Sequence, residues 1–251
     1  MFDLLSQEEK EIIVNNALRR ANEERKIKNE REEMRIQQQE FENDRLSPWT
    51  SKRYFEFIKT ESVRRFNKEL ILDEFNCNTI KRLCTYFCED KFFEKKGCSL
   101  KKGLYVYGNI GCGKTFLMNL FRINKKRCYR VFSTRRICDD YQQIGAPVLQ
   151  EFSDPLFYVS KTLETFNHTE FGRCFDDLGG ESIGRSYWGN RTIPMREIIC
   201  YIYEKSYPFF YYHITSNLAP TELEAIYGAR TYSRMKEMFN FIKLTGNDRR
   251  Q

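Results

Sequence analysis

The feature that most constrains the fold of this chain is the stretch 103–121, which reads GLYVYGNIGCGKTFLMNLF. Its apolar run 104–107 predicts a buried strand, and the apolar residues that recur at helical spacing after position 115 predict a helix. The residues between these two elements match the pattern G-x-x-x-x-G-K-[ST] at every position. The pattern therefore has the strand, loop and helix around it that a phosphate-binding loop requires.

The chemistry of such a loop explains its residue types. Gly108, Gly111 and Gly113 let successive backbone N–H groups point at phosphate oxygens, next to the positive end of a helix. Lys114 is predicted to reach the β- and γ-phosphates of a nucleotide, and the Thr115 hydroxyl to ligate Mg²⁺. The candidate nucleotide-binding residues are Gly108, Asn109, Ile110, Gly111, Cys112, Gly113, Lys114 and Thr115. A glycine-rich turn before an ordinary helix is the alternative, but this pattern arises by chance in roughly one chain in a hundred.

The composition is that of a folded protein without a membrane segment. An apolar content of 41% can supply a core, and the first residues lack the features of a secretory signal. No apolar run reaches the ~18 residues that a spanning helix needs. Nine cysteines without a C-x-x-C pair indicate reduced thiols, so we expect a cytoplasmic protein with no membrane partner. The net charge of +7 permits a polyanionic partner but does not require one.

Two regions are predicted, a charged helical N-terminal arm with a linker at 1–50 and a globular domain at 51–251. Ser6 and Glu9 form a capping box that starts a long helix, and residues 19–40 are almost wholly charged or polar. A helix that is polar nearly all round cannot bury a face in a core. The arm is therefore either a solvated tail or a docking arm whose few apolar residues engage a partner.

The domain predicts an α/β fold. Residues 52–96 have helical spacing, and further helices are predicted at 193–203 and from Thr221 onward. Strands are predicted at 128–134, before Asp176, at the aromatic run 209–215 and at 239–244. Strands that alternate with helices imply a parallel sheet covered on both faces.

Polar residues at two predicted strand ends complete the candidate site. Asp176 is predicted to hold the metal through its water shell and Asp177 to activate the attacking water, although paired acids can also be a simple turn signal. Because aspartate is short, Asp177 must approach closely or work through Glu181. Asn217 is predicted to hold the γ-phosphate or the water, and His213 to be a core residue.

The motifs together resemble those of a known family. GNIGCGKT, CFDDLGGE, YWGN, HITSNLAP, YGARTYSRMKEM and TGNDRR occur in the order found in DnaC/IstB-type AAA+ ATPases, and the resemblance covers about residue 52 to the end. It implies an AAA+ core with a parallel five-stranded sheet between helices and no C-terminal lid domain. It also implies Walker A at 108–115, Walker B at Asp176 and Asp177, and a sensor at Asn217. An arginine finger is implied within 227–234, with Arg234 favoured and Arg230 as the alternative, while Arg250 matches the family's closing arginine.

The resemblance further implies a function. The family includes ATP-dependent loaders that place a replicative, DnaB-like helicase on single-stranded DNA and form homo-oligomers on ATP and DNA. Such a protein is a weak ATPase alone, because an arginine finger completes the site of a neighbouring subunit. The alternatives are an IstB-like transposition regulator that acts on DNA and a binding module in which nucleotide only orders the fold. Arg135 and Arg136 are the first candidates for DNA contact, and a solvated helix start is the alternative interpretation.

Overall fold

A computed structural model describes residues 49–122, 124, 127–154, 172–181, 185–187 and 190–249 of the chain. All of the predicted N-terminal arm except its last two residues lies outside this part. The apolar spacing of residues 156–166 also predicts an amphipathic segment, and this segment lies outside the described part, as does Arg250, which matches the family's closing arginine.

A five-stranded parallel sheet forms the centre of the described chain. Its strands are β1 Gly103–Tyr107, β2 Tyr129–Ser133, β3 Gly172–Leu178, β6 Tyr212–Ser216 and β7 Phe239–Lys243. The order across the sheet is β2-β3-β6-β1-β7, and every neighbouring pair is parallel. A separate antiparallel pair consists of β4 Arg185–Tyr187 and β5 Asn190–Thr192. The predicted α/β class and the five-stranded parallel sheet are confirmed.

Helices connect the strands and cover both faces of the sheet. In the described residues they are α1 Ser51–Phe66, α2 Cys77–Phe87, α3 Lys114–Phe121, α4 Thr134–Ile144, α5 Ala146–Ser153, α6 Pro194–Glu204, α7 Pro220–Tyr227 and α8 Ala229–Met238. Two 3₁₀ segments lie at Lys91–Lys96 and Phe209–Tyr211. None of the helices in this part of the chain has the length and apolarity to cross a bilayer.

Helices α1, α2 and α3 pack on one face of the sheet. The hydroxyl of Thr50 accepts from the Arg53 N–H at 3.2 Å and starts α1, whose Tyr54 and Ile58 are one turn apart and fully buried. They share a core with Leu104 on β1 and with the apolar faces of α2 and α3. The helical spacing of 52–96 predicted helices, and this range contains α1, α2 and the 3₁₀ segment Lys91–Lys96, with a non-helical connection at 67–76.

The opposite face carries the remaining helices. Tyr105 points to this side, between two β1 residues that point to the other, as strand geometry requires. It packs in a core with Phe175 on β3, Ile198 on α6 and Met235 on α8. Both faces of β1 are thus buried, which is typical of a central parallel strand.

The structure differs from the sequence prediction at the start of β6, and it also describes the residues that follow β7. The aromatic run 209–215 was predicted to be entirely strand, but its first three residues form the 3₁₀ segment Phe209–Tyr211. The Tyr211 N–H donates to the Pro208 carbonyl at 3.2 Å and closes this turn before β6 begins. After β7, residues 244–249 contain no helix, so the described chain has no lid helix at that point.

Candidate nucleotide site

The loop between β1 and α3 is shaped by close backbone contacts. A Cβ atom at Gly108 would collide with the backbone oxygen of Leu244, and a Cβ at Gly111 would collide with the Asp248 carboxylate. Gly111 also has φ +80°, a conformation that side-chain-bearing residues rarely adopt. Both positions therefore favour glycine: Gly108 is a fixed residue of the motif, whereas Gly111 occupies one of its variable positions.

Lys114 places its charge inside this loop. Its ammonium donates to the carbonyls of Gly108 and Asn109, both at 2.8 Å, and lies 4.0 Å from the Cys112 sulfur. The residue is only 8% exposed, yet its polar contacts are to the loop itself. A buried ammonium held by backbone carbonyls is a positive charge in a fixed position at the start of α3.

Thr115 and Asp176 meet across the cleft. The Thr115 hydroxyl donates to Asp176 Oδ1 at 2.9 Å, and the Thr215 hydroxyl on β6 donates to the same oxygen at 2.6 Å. Mg²⁺ bound with a nucleotide takes one or two protein oxygens, with phosphates and water supplying the rest. The described residues contain no group of three His, Cys, Asp or Glu side chains that could hold a metal alone. The hydroxyl and carboxylate pair therefore fits Mg²⁺ bound together with phosphates.

An irregularity in β3 directs the two acidic residues. The register between β3 and β6 shifts between Phe175 and Leu178, and Asp177 has φ +65°. The Asp177 N–H donates to the Thr215 hydroxyl at 2.9 Å, and its carbonyl accepts from the Thr134 hydroxyl at 2.9 Å. Asp176 consequently faces Thr115, while Asp177 is exposed at the rim of the same cleft.

The cleft has a volume of about 920 Å³ and brings most of the predicted site residues together. Its lining consists of Lys68, Glu69, Leu70, Ile71, Asn76, Ile110, Gly111, Cys112, Gly113, Lys114, Thr115, Phe116, Leu117, Asp176, Asp177, Asn217 and Arg249. Gly108 and Asn109 do not line the cleft but supply the carbonyls that hold Lys114. Asn217 is exposed at the end of β6, next to the paired acids.

Sequence reasoning missed one wall of this cleft. Residues of the connection between α1 and α2 line it. Arg249 lines it too, next in the chain to Arg250, the residue that matches the family's closing arginine. The guanidinium of Arg249 forms an ion pair with Asp73 in that connection. The polar run 245–249, shortly after β7, the strand that pairs with β1, is the sequence feature from which this wall could have been predicted.

Glu181 is not placed to act on a bound nucleotide. It is 4% exposed and does not line the cleft. Its carboxylate accepts from the Gly179 N–H at 2.7 Å and from the Tyr227 hydroxyl on α7. Burial, and then the negative charge of Glu181, raises the pKa of Tyr227 well above its ordinary value, so this hydroxyl stays a donor. The expectation that Asp177 could work through Glu181 is therefore wrong for this arrangement.

The candidate arginine fingers lie on α8, outside the cleft. Arg234 is largely buried, with its guanidinium 4.9 Å from the Tyr203 ring and 3.0 Å from a Glu204 carboxylate oxygen. Arg230, one turn earlier on α8, is exposed. Neither side chain lines the cleft of its own chain, so either could act only on another copy.

The two candidate DNA-contacting arginines begin a helix at the end of β2. Arg135 and Arg136 are both exposed in the first turn of α4. They do not line the nucleotide cleft. Their exposure is compatible with a nucleic-acid contact and with a solvated helix start.

Similarity to known proteins is found at the level of solved structures. No family model matches the sequence, and no curated protein matches it. Similar solved structures include DnaI, with a TM-score of 0.47 and 18% identity over 73% of this chain and 89% of that one. The DnaC helicase loader has a TM-score of 0.46 and 18% identity over 70% and 93%. AMPPCP-bound DnaA from Aquifex aeolicus has a TM-score of 0.43 and 18% identity over 71% and 50%.

Proposed function

We propose that this chain binds ATP together with Mg²⁺ and hydrolyses it. The observation that carries the proposal is the meeting of Lys114, Thr115 and Asp176 at one cleft, at the carboxyl ends of β1 and β3. Ligands of open α/β sheets bind outside the carboxyl ends of the strands. A fixed ammonium, a loop of backbone N–H groups and a hydroxyl–carboxylate pair suit a nucleoside triphosphate with its metal.

We assign each residue a role that its position supports. Lys114 stabilises the negative charge that builds up on the transferred phosphoryl group. Thr115 and Asp176 would hold Mg²⁺, which when bound neutralises charge on the phosphate oxygens. Asp177, exposed at the rim, accepts the proton of the attacking water, and Asn217 orients that water or the γ-phosphate.

Lys114→Ala tests this proposal by titration calorimetry with ATP. The variant should lose ATP binding and keep its melting temperature, because the ammonium contacts loop carbonyls and no core side chain is removed. Lys101→Ala, an exposed lysine before β1, is the matched control and should bind ATP like the parent. Unchanged ATP affinity in Lys114→Ala would contradict the proposal.

We further infer that the protein is a cytoplasmic loader of a DnaB-like replicative helicase. The order of the sequence motifs supports this, and every one of the nine cysteines is present as a thiol. The arm at 1–50 would recruit the helicase. A chain lacking residues 1–45 should keep its melting temperature and ATP affinity but fail to retain the hexameric helicase in a pull-down. A large fall in melting temperature would instead mean that the arm packs on the domain.

Single-stranded DNA is the proposed nucleic-acid partner, bound by a homo-oligomer that forms on ATP. Single-stranded oligonucleotides should raise ATP turnover, and added salt should weaken the effect because phosphate contacts release counterions. The Arg135→Ala/Arg136→Ala variant should bind DNA more weakly, and equal affinity would identify these arginines as a solvated helix start. A clear preference for duplex DNA would favour the transposition-regulator alternative. Absence of turnover under all conditions would favour the binding module.

A further inference from the structure

The residues after β7 run alongside the phosphate-binding loop, and we call residues 245–249 the strap. The Leu244 N–H donates to the Tyr107 carbonyl at 2.7 Å and extends the pairing of β7 with β1. Further on, the Arg249 N–H donates to the Gly111 carbonyl at 3.0 Å, and the Asp248 carboxylate packs against Gly111. One side of the strap is therefore attached to the loop that would cradle the phosphates.

The other side of the strap is attached to the connection between α1 and α2, which forms the opposite wall of the cleft. The Lys68 ammonium donates to the Arg249 carbonyl at 3.2 Å, and the Thr245 hydroxyl donates to the Phe75 carbonyl at 3.1 Å. The Arg249 guanidinium forms a charge-assisted hydrogen bond with the Asp73 carboxylate. The strap thus joins the two walls of the nucleotide cleft.

Asp73 is a rigid anchor for this contact. Its Oδ1 accepts from the Phe75 N–H at 2.9 Å and from the Asn76 N–H at 2.8 Å, directly before α2 begins. The Asn76 side chain accepts in return from the Asp73 N–H at 3.0 Å. The other carboxylate oxygen, Oδ2, is the one that meets Arg249. Because the aspartate is fixed by local hydrogen bonds, the position of the guanidinium is fixed with it.

Arg249 lines the cleft, while its Nε is buried with no hydrogen-bond partner in the described chain. A buried N–H without an acceptor is unfavourable, so the other contacts of Arg249, above all the ion pair with Asp73, must hold the side chain in place against this cost.

We propose, on the basis of the nucleotide-binding function inferred above, that the Asp73–Arg249 ion pair is a latch that holds the strap across the cleft and slows nucleotide release. Arg249 is then a positioning residue. The latch is a contact between two parts of the protein and does not depend on the γ-phosphate. It should therefore slow the release of ADP as well as of ATP. Opening the latch would separate the two walls and free the nucleotide.

Release of a fluorescent ADP analogue, measured in stopped flow by chasing with unlabelled ADP, tests the latch. Asp73→Asn keeps the oxygen that starts α2 and removes the charge, and it should speed release about ten-fold, the size of one charge-assisted hydrogen bond. Arg249→Gln should do the same, and the double variant should be no faster than either single one. Arg249→Lys should restore part of the slow release. Glu56→Gln, which breaks an exposed ion pair on α1, is the control and should release ADP like the parent.

Unchanged release in Asp73→Asn would overturn the latch, even if Arg249→Gln were faster, because Arg249 would then act as a direct ligand. If the parent binds ADP and Lys114→Ala does not, the nucleotide-binding function stands. The ADP release rates of the Asp73 and Arg249 variants then decide whether the latch exists. If the parent binds no nucleotide, both proposals fail. Hydrogen exchange of the strap amides without nucleotide provides a second measurement. Exchange should be faster in Asp73→Asn than in the parent, and equal exchange would also overturn the latch.

Discussion

The hydroxyl of Thr215 bridges the two acidic residues of the candidate site. It donates to Asp176 Oδ1 at 2.6 Å and accepts from the Asp177 N–H at 2.9 Å. Since Thr215 is fully buried on β6, the neighbouring strand fixes both the carboxylate of one residue and the backbone of the next. The irregularity that turns Asp177 toward the rim is thus stabilised by the Thr215 hydroxyl on β6, together with the Thr134 hydroxyl that donates to the Asp177 carbonyl.

We expect Thr215→Val to impair the metal site more than the fold. Valine matches the shape of threonine but leaves the Asp177 N–H without its acceptor, which costs about 1–3 kcal/mol in the free energy of unfolding. The Mg²⁺ concentration for half-maximal ATP turnover should rise, because Asp176 loses one of its two hydroxyl donors. Thr231→Val, a buried threonine on α8 outside the cleft, is the matched control. Equal Mg²⁺ dependence in both variants would remove the positioning role from Thr215.

We expect substitution of Asp177 to affect ATP turnover and substitution of Glu181 to affect stability. Asp177→Asn should retain ATP and lose turnover by about 10²–10⁴-fold, the size of a general-base contribution. Glu181→Gln should mainly lower the melting temperature, because the buried Glu181 carboxylate accepts from Tyr227 and Gly179 rather than facing the cleft. Turnover and thermal unfolding of both variants measure this. Normal turnover in Asp177→Asn would mean that another group activates the water.

The wall of the cleft that contains the phosphate-binding loop could be predicted from the sequence, because its residues are close together in the chain. Strand, loop and helix are consecutive from β1 to α3, so the motif carries its own structural context. The parallel sheet also followed, because alternating strands and helices leave few other topologies. The roles assigned to the individual site residues stay predictions.

The opposite wall could not be predicted in the same way. Asp73 and Arg249 are 176 positions apart in the chain and meet only because β7 pairs with β1. Likewise, nothing in the spacing of Glu181 indicates that Tyr227 holds it in the interior. The 3₁₀ segment before β6 was missed because aromatic residues favour strands locally, whereas the turn that follows Pro208 decides the backbone.

The arginine finger is tested by the dependence of ATP turnover on protein concentration. If Arg234 acts on a neighbouring subunit, Arg234→Ala should bind ATP normally and lose the rise in turnover with concentration, an effect of about 10³–10⁵ at most. Mixing it with Lys114→Ala should restore some turnover, since each variant supplies what the other lacks. Arg234→Ala should also cost about 0.5–1 kcal/mol of stability through its contacts with Tyr203 and Glu204.

Arg230→Ala is the comparison for this experiment. Arg230 is exposed, so its removal should leave the free energy of unfolding unchanged. If Arg230→Ala loses the dependence on concentration and Arg234→Ala keeps it, the finger is Arg230 and Arg234 is structural. Turnover that is independent of concentration in the parent would indicate an enzyme that acts as a monomer.

His213 makes the stability of the domain depend on pH. It is fully buried on β6, its Nδ1 accepts from the Leu104 N–H at 3.2 Å, and its ring lies 4.7 Å from the ring of Tyr129. Burial, assisted by the positive charge of Arg127, lowers the pKa of His213 from 6.5 to about 3. The imidazole is therefore neutral in the folded protein at every pH above that value.

The sign of the pH dependence follows from proton binding. Between pH 6.5 and about 3, the unfolded chain takes up a proton at His213 that the folded chain does not, so the free energy of unfolding falls as the pH falls. The slope approaches about 1.4 kcal/mol per pH unit. His213→Asn keeps an acceptor for the Leu104 N–H, because the asparagine Oδ1 takes the place of Nδ1, but it cannot be protonated, so the parent should lose more stability than this variant between pH 6.5 and 4.5. Denaturant unfolding across this range measures the difference, and parallel curves for the two proteins would show that His213 does not control acid stability.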